Sequence, residues 1–310
     1  MQKKRIIGIY KGQQPGPMLI AIGGIHGNEP AGNEAIETFL QNLENEAKYN
    51  LNFKFRGTFL GLRGNCQAIE HSQRFIEKDL NRQWVEENIK RVFSEKIENL
   101  HAEDYELRDL LQTIKSEIKE KLPYEILFLD FHTTTAEGGA FAIVTDEENS
   151  IKIANELNVP VVKGLLRGIE GTSLHYFTTK NFEIPTAAIA FEAGQHLDKL
   201  SVNRCIAVLT NALIALQCVQ KDEIENPFNA ILNEETKNLP QLSELLYCHR
   251  IRPEDEFCMK PGYKNFQDIK KGEIIANDIN GVIQAPYDCQ ILMPLYQKQG
   301  SDGFFLIKSI

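Results

Sequence analysis

The sequence predicts an α/β protein, in which helices flank a mixed, mostly parallel sheet and a small all-β domain follows. Two observations carry this prediction. Over the first ~215 residues, apolar runs typical of strands alternate with segments that have helical spacing. From residue 241 onward, short alternating stretches are separated by turn-forming residues. We therefore expect an α/β domain at residues 1–220 and a β domain at residues 221–310 that caps or flanks the site of the first.

Each element of the first domain follows from a local pattern. The nearly continuous apolar run at residues 124–131 is typical of a strand buried on both faces. In chain order, strands are predicted at residues 4–10, 17–22, 57–62, 124–131, 140–144 and 184–191. Helices are predicted at residues 33–43, at 85–121 as a pair that breaks near 100–105, and at 205–219.

The composition is that of a folded soluble protein, since 42% of the 310 residues are hydrophobic and 25% are charged. A net charge of -9 argues against binding to nucleic acid or to an anionic membrane. No apolar run approaches the roughly 20 residues that span a bilayer, and no signal peptide is predicted. The six cysteines form no CxxC pair, so we expect reduced thiols in a cytoplasmic protein.

A glycine-rich turn, GGIHGNEPAG at residues 23–32, follows a strand and contains His26 and Glu29. Two further predicted strands end beside His132, in LDFHTTT, and beside Glu192, in IAFEAG. Ligand sites of open α/β sheets form at the carboxyl ends of strands, so these side chains are expected to lie together. Two histidines and a carboxylate match the ligands of catalytic zinc, and a further carboxylate suits a general base. Alternatively, each residue is structural: a capped turn, a core histidine and a helix-start carboxylate.

Two features surround these residues in the sequence. Asp130 lies two residues before His132, so on a strand it shares that face and could hold the second imidazole nitrogen. The stretch RFIEKDLNRQW contains Arg74, Asn81 and Arg82 just before a helical segment. Arginine offers a rigid fork that matches a carboxylate, which suggests an anionic substrate. The alternative is a solvated helix start with a surface ion pair.

Four segments, GGIHGNEPAG, DLNR, DFHTTT and FEAG, occur in an order and spacing that resembles the succinylglutamate desuccinylase and aspartoacylase family. That family is a branch of the carboxypeptidase A-like zinc hydrolases, and it also has a small C-terminal β domain. The resemblance implies a zinc-dependent amidohydrolase with one Zn²⁺ per chain. It implies a small anionic N-acyl amino acid substrate, of the N-succinylglutamate or N-acetylaspartate type, and no nucleic acid or membrane partner. A homo-oligomer is left open.

The resemblance also implies roles in metal binding and catalysis. His26, Glu29 and His132 would bind zinc. Glu192 would be the general base, and Arg74, in RFIEKDLNR, would polarise the scissile carbonyl.

Substrate contacts are implied in the same way. Asn81 and Arg82 of DLNR would hold a substrate carboxylate. The segment TSLHYFTTK is similar to a pocket segment of aspartoacylases, which gives Tyr176 and Lys180. Lys180 replaces an arginine of that pattern, and we expect it to grip a second, more distant carboxylate. Tyr296 is a candidate for the tyrosine that the C-terminal domain supplies in aspartoacylases.

Two alternatives to this function stay open. The same metal ligands would serve a zinc carboxypeptidase that acts on short peptides, or the fold could belong to a binding protein that has lost catalysis. Residues 280–294 faintly resemble the hairpin of a biotinyl or lipoyl carrier domain. The modifiable lysine is missing from the hairpin tip, so a carrier function is not expected.

Overall fold

A computed structural model describes residues 4–310 and confirms the predicted fold class. The strands are β1 (Ile6–Lys11), β2 (Gln14–Gly23), β3 (Arg56–Arg63), β4 (Ile126–Thr134), β5 (Phe141–Val144), β6 (Val161–Lys163), β7 (Thr186–Gln195), β8 (Leu242–Arg250), β9 (Cys258–Met259), β10 (Gln267–Ile269), β11 (Ile274–Asp278), β12 (Gly281–Gln284), β13 (Cys289–Leu292) and β14 (Asp302–Ser309). The helices are α1 (Ala31–Tyr49), α2 (Cys66–His71), α3 (Glu86–Ser94), α4 (Ala102–Lys121), α5 (Glu148–Asn155), α6 (Ser173–Tyr176), α7 (Thr179–Phe182), α8 (Ser201–Ala215) and α9 (Asn229–Thr236). Short 3₁₀ turns lie at Leu80–Arg82, Ile97–Asn99, Leu165–Arg167 and Pro253–Asp255.

The centre of the main sheet is parallel. Strands β3, β2, β4 and β7 lie side by side in that order, each parallel to the next. Every residue of β4 is buried, which accounts for its continuous apolar sequence. Strand β1 pairs antiparallel with β3 and not with β2, so the first two strands do not form a hairpin. The parallel order brings the carboxyl ends of β2, β4 and β7 to one edge.

Helices cover both faces of this sheet. One core lies between the sheet and the pair α1 and α8, which pack against each other. The opposite core lies under α3 and α4, the two helices predicted in residues 85–121. Among residues 4–310, no helix combines the length and the apolar character needed to cross a bilayer.

The C-terminal region differs in two respects from the expected separate all-β domain: it shares the main sheet, and it contains a helix. Strand β8 pairs in parallel with β6, and β14, β13 and β10 continue from it, so the main sheet runs across the boundary at residue 220. A separate sheet of three strands, β12, β11 and β9, packs on a small core of its own. Residues 229–236 are helical, as α9. Because β14 joins the main sheet, the C-terminal region has a fixed position beside the carboxyl edge.

Candidate active site

The turn after β2 is shaped by glycines that no other residue could replace without movement. Gly24 has φ +72, in the left-handed region. A Cβ on Gly27 would lie 2.1 Å from the carbonyl carbon of Ala68, so this turn lies directly against α2. Pro30 then precedes the first residue of α1 with φ -75, which its ring favours. This tight bend places the side chains of His26 and Glu29, three residues apart in the chain, together at the edge of the sheet.

His26, Glu29 and His132 form a buried cluster whose donor atoms lie within 4.8 Å of one another. The two oxygens of Glu29 face different histidines. Oε1 is 2.9 Å from Nδ1 of His26, and Oε2 is 3.2 Å from Nδ1 of His132. The backbone N–H of Thr133 also donates to Oε2, at 2.9 Å. Two imidazole nitrogens and one carboxylate therefore converge on one point, a donor set that could hold zinc.

In each histidine of the cluster, the Nε2 atom contacts an aspartate carboxylate. Nε2 of His26 lies 3.2 Å from Oδ1 of Asp79, and Nε2 of His132 lies 3.1 Å from Oδ2 of Asp130. Arg74 pairs with Asp79, at 3.1 Å from Nη2 to Oδ2. This arrangement turns the Nδ1 atoms of both histidines toward Glu29. It is the support that metal-ligating histidines usually have.

The cluster is built to stabilise positive charge. Burial opposes ionisation of Glu29, but His26 and His132 hold the pKa of this carboxyl well below its usual range. Burial likewise opposes a charge on His132, yet Asp130 and Glu29 raise the pKa of the imidazole well above its usual value. A divalent cation would use the same negative field in place of protons. The residues present therefore fit a metal ion.

Glu192 lies beside the cluster at the end of β7, where its backbone pairs with His132. Its side chain is buried, and Oε2 has no hydrogen-bond partner among the described residues. Burial raises the pKa of Glu192 to about 7, and the nearby Glu29 carboxylate acts in the same direction. A buried carboxyl with a free oxygen and a pKa near neutrality can both take up and release a proton.

Helix α4 positions the loop that carries Arg74 and Asp79. The carboxylate of Glu103, fully buried in the first turn of α4, accepts hydrogen bonds from the backbone N–H groups of residues 76, 77 and 78. It also accepts one from the side chain of Asn65, at 2.9 Å. These bonds tie an irregular loop to a long helix. The helical segment 85–121 therefore contributes directly to the geometry of the site.

The cluster opens into a cavity at the carboxyl edge of the sheet. The predicted residues that line it are His26, Glu29, Arg74, Asn81, Arg82, His132 and Glu192. Apolar side chains form much of the remaining wall: Ile143, Leu166, Ile169, Leu174, Ala190, Met293, Leu295 and Phe305. Several of these belong to the C-terminal region, which closes one side of the cavity.

Asn81 and Arg82 both have partners within the protein. The Asn81 side chain accepts from the backbone N–H of Ser173 at 2.9 Å, and its Nδ2 faces Nε2 of His132 at 3.4 Å. Arg82 forms an ion pair with Asp302, at the start of β14, and donates to the carbonyl of Asn81 at 2.7 Å. The DLNR segment is thus joined to the last strand of the chain.

Three candidates for substrate contact do not line the cavity. The ring of Tyr176 is half-buried and packs on Trp84, Phe177 and Phe182. Lys180 lies exposed on the short helix α7. The hydroxyl of Tyr296 bonds to backbone groups of the C-terminal region, accepting from the N–H of residue 263 at 2.8 Å. We assign none of these side chains a substrate contact.

The sequence interpretation missed four residues of the site. Asp79 stands within DLNR, and its place before Asn81 was the available hint. Thr133 directly follows a predicted ligand, and its hydroxyl lies 2.7 Å from Nδ1 of His196, which lines the cavity. Asp302 had no local sequence pattern, because its partner Arg82 is 220 residues away.

The fold and the site together define an α/β protein with a buried His–Glu–His cluster at the carboxyl edge of its sheet. The family model for the succinylglutamate desuccinylase/aspartoacylase catalytic domain matches residues 15–215. The chain belongs to that family.

Individual relatives are similar to this chain at modest identity. A probable aspartoacylase of Acaryochloris marina is 29% identical over 129 residues, which is 42% of this chain and 39% of the relative. The aspartoacylase of Rattus norvegicus is 28% identical over 186 residues, 59% of this chain and 55% of the relative. The alignments thus span 39% and 55% of these two relatives. The solved succinylglutamate desuccinylase of Vibrio cholerae superimposes with a TM-score of 0.65 at 15% identity, over 96% of this chain and 82% of the other.

Proposed function

We propose that this protein is a zinc-dependent amidohydrolase that cleaves the amide bond of an N-acyl amino acid. The single observation that carries the proposal is the buried cluster of His26, Glu29 and His132 beside an unpaired oxygen of Glu192. A metal site with a free buried carboxylate next to it is what amide hydrolysis requires. The names of the relatives, aspartoacylase and succinylglutamate desuccinylase, support the same reaction class.

Zinc suits the donor atoms better than a hard cation would. Two imidazole nitrogens favour zinc, while magnesium and calcium prefer oxygen ligands. When bound by His26, Glu29 and His132, zinc supplies Lewis acidity that polarises a carbonyl and makes water more acidic. Asp79 and Asp130 contact the Nε2 atoms of the two histidines, which would leave the Nδ1 atoms available to hold the ion.

The chain's own residues handle the proton and the substrate. Oε2 of Glu192 accepts a proton from the attacking water and returns it to the nitrogen of the leaving amine. Arg74, at 3.6 Å from Glu29 and paired with Asp79, donates to the scissile carbonyl oxygen. Arg82 holds the α-carboxylate, and Asn81 fixes the Arg82 loop against residue 173.

A small substrate fits the cavity better than a peptide. Residues 293, 295, 297 and 302 of the C-terminal region line the cavity and close it on one side. A carboxypeptidase needs an open groove for the rest of its peptide. This closure favours deacylation of a single amino acid over removal of a terminal residue.

The test is a hydrolysis assay of the purified, zinc-loaded protein on N-acetyl and N-succinyl amino acids, with N-acetylated dipeptides as the comparison. We expect release of a free amino acid from at least one acyl amino acid, at a kcat/KM well above that for any dipeptide. Hydrolysis of the dipeptides alone would favour the carboxypeptidase alternative. An absence of turnover with zinc bound would favour the binding protein.

A further inference from the structure

The cations that face the cavity are already largely neutralised by the protein. Arg82 is paired with Asp302, whose other oxygen lies 3.3 Å from Nη1 of Arg250. Two guanidinium groups and one carboxylate give this triad a net charge of one positive unit. Asp302 is mostly buried, with 10% of its side chain exposed, so it is a fixed part of the wall.

The positive charge of Arg74, the other cation that lines the cavity, is offset by carboxylates of the protein. Arg74 pairs with Asp79 at 3.1 Å and faces Glu29 at 3.6 Å. Lys180, which the sequence predicted to bind a second substrate carboxylate, is exposed and lies outside the cavity. Among the described residues that line the cavity, Arg82 is therefore the one cation besides the metal ligands and their partners, and it shares its charge with Asp302. Arg250 pairs with the other oxygen of Asp302 from outside the lining.

Much of the wall next to the triad is apolar, beside the polar lining residues Thr172, Gln297 and Ser301. Leu166 and Ile169 lie in the segment after β6, and Phe305 lies on β14 three residues beyond Asp302. Leu174, Met293 and Leu295 complete this side of the cavity. An alkyl group placed there would lose contact with water and gain contact with these side chains.

We propose that the cavity selects N-acyl amino acids that carry a single carboxylate and an apolar side chain, and that Asp302 sets this preference. The inference rests on the proposed function and names its substrate class. The α-carboxylate meets the net positive charge of the Arg82–Asp302–Arg250 triad, and the side chain of the amino acid packs on the apolar wall. A second carboxylate would be buried there without a cationic partner, which is costly.

Three N-acetyl amino acids of nearly equal size test the proposal: N-acetylleucine, N-acetylasparagine and N-acetylaspartate. Their side chains have similar shape and differ in being apolar, polar or charged. For the wild-type, zinc-loaded protein we expect kcat/KM to fall in that order, with leucine ahead of aspartate by about 100-fold or more, as an unpaired buried charge requires. Equal values, or a lead for aspartate, would overturn the proposal.

A binding measurement separates this inference from the proposed function. Calorimetry on zinc-loaded Glu192→Gln protein gives the dissociation constant of each compound without rapid turnover. If the leucine compound binds far more tightly than the other two but the wild type hydrolyses neither these three nor any N-succinyl amino acid, the reaction is wrong and the substrate preference stands. If the wild type hydrolyses the aspartate compound best, the reaction stands and the preference is wrong. If none binds, the preference is wrong, and the reaction is judged by the assay on the N-succinyl amino acids.

Two variants test the role of the charges. Asp302→Asn keeps the shape but frees the charge of Arg82, so the ratio of kcat/KM between leucine and aspartate compounds should narrow by about tenfold. Leu166→Lys, at a half-buried wall position, should narrow the same ratio by adding a cation. The control is Asp288→Asn, which removes an exposed carboxylate paired with Lys270 and should leave the ratio unchanged. An unchanged ratio in a folded Asp302→Asn protein would overturn the assignment of Asp302. If the Asp302→Asn protein does not fold, Leu166→Lys still tests the apolar wall, and an unchanged ratio in that variant would contradict the proposal.

Discussion

His26 and Asp79 are 53 residues apart in the chain, yet Nε2 of His26 lies 3.2 Å from Oδ1 of Asp79. This contact sets the ring so that its other nitrogen faces Glu29. Burial opposes ionisation of Asp79, but His26 and Arg74 hold the pKa of this carboxyl well below its usual range. Asp79 is therefore a charged positioning residue at neutral pH, and it links the glycine turn to the DLNR segment.

Asp79→Asn should weaken zinc binding by about 10- to 100-fold, because a ligand histidine loses its charged support. The amide oxygen can still accept from the N–H of Asn81, so the local turn should persist. Competition with a chelator of known affinity measures the change. The matched control is Asp268→Asn, an exposed position in the C-terminal region, which should bind zinc like the wild type. Unchanged affinity in Asp79→Asn would remove this residue from the support of the site.

Glu192→Gln should keep zinc and the fold but lose about 10²- to 10⁴-fold in kcat, as expected for a positioned general base. The amide preserves the size of the side chain and cannot accept the proton. Zinc content and kcat are measured on the same preparation. Glu156→Gln, an exposed change elsewhere, serves as the control. A kcat within about threefold of the wild type would show that another group takes the proton.

Lys180→Met should leave kcat/KM within about threefold for both N-acetylleucine and N-acetylaspartate. The reason is that Lys180 is exposed and lies outside the cavity. The comparison with Arg82→Met is informative, because that change removes the cation at the cavity and should lower kcat/KM for both compounds. If Lys180→Met lowered kcat/KM for N-acetylaspartate alone, this lysine would bind the second carboxylate of the substrate.

Gly27→Ala should destabilise the protein by about 1–3 kcal/mol, the usual cost of adding a methyl group to a filled space. The new Cβ would overlap the backbone of Ala68, which cannot rotate away. The free energy of unfolding from denaturant titration measures the effect, and zinc affinity should fall with it because the turn carries His26 and Glu29. A stability within about 0.5 kcal/mol of the wild type would show that the turn can move.

The parts of the fold that local sequence determines could be predicted. The buried strands β2, β4 and β7 carry continuous apolar runs, and a parallel order brings their ends together. That placement is why His26, Glu29, His132 and Glu192 could be expected at one edge. The turn at residues 23–32 could be predicted too, because several glycines at the end of a strand indicate a backbone conformation that other residues rarely adopt.

Long-range pairing could not be predicted in the same way. Strand β6 has three residues, too few for a clear pattern, and it is the strand that joins the C-terminal region to the main sheet through β8. The contact of Arg82 with Asp302 depends on that join. Tyr176 also shows the limit: a tyrosine in a motif can face the site or an aromatic cluster, and packing on Trp84 decides this.

The most direct test of the account is a zinc titration of the metal-free protein, with release of the free amino acid followed at each step. The account predicts that activity rises linearly and levels off at one zinc per chain. His26→Ala, Glu29→Ala and His132→Ala should show no stoichiometric zinc and no rise, while His71→Ala, an exposed histidine outside the cluster, should match the wild type. Activity that is independent of added zinc, or a full zinc equivalent retained in all three ligand variants, would contradict the central claim.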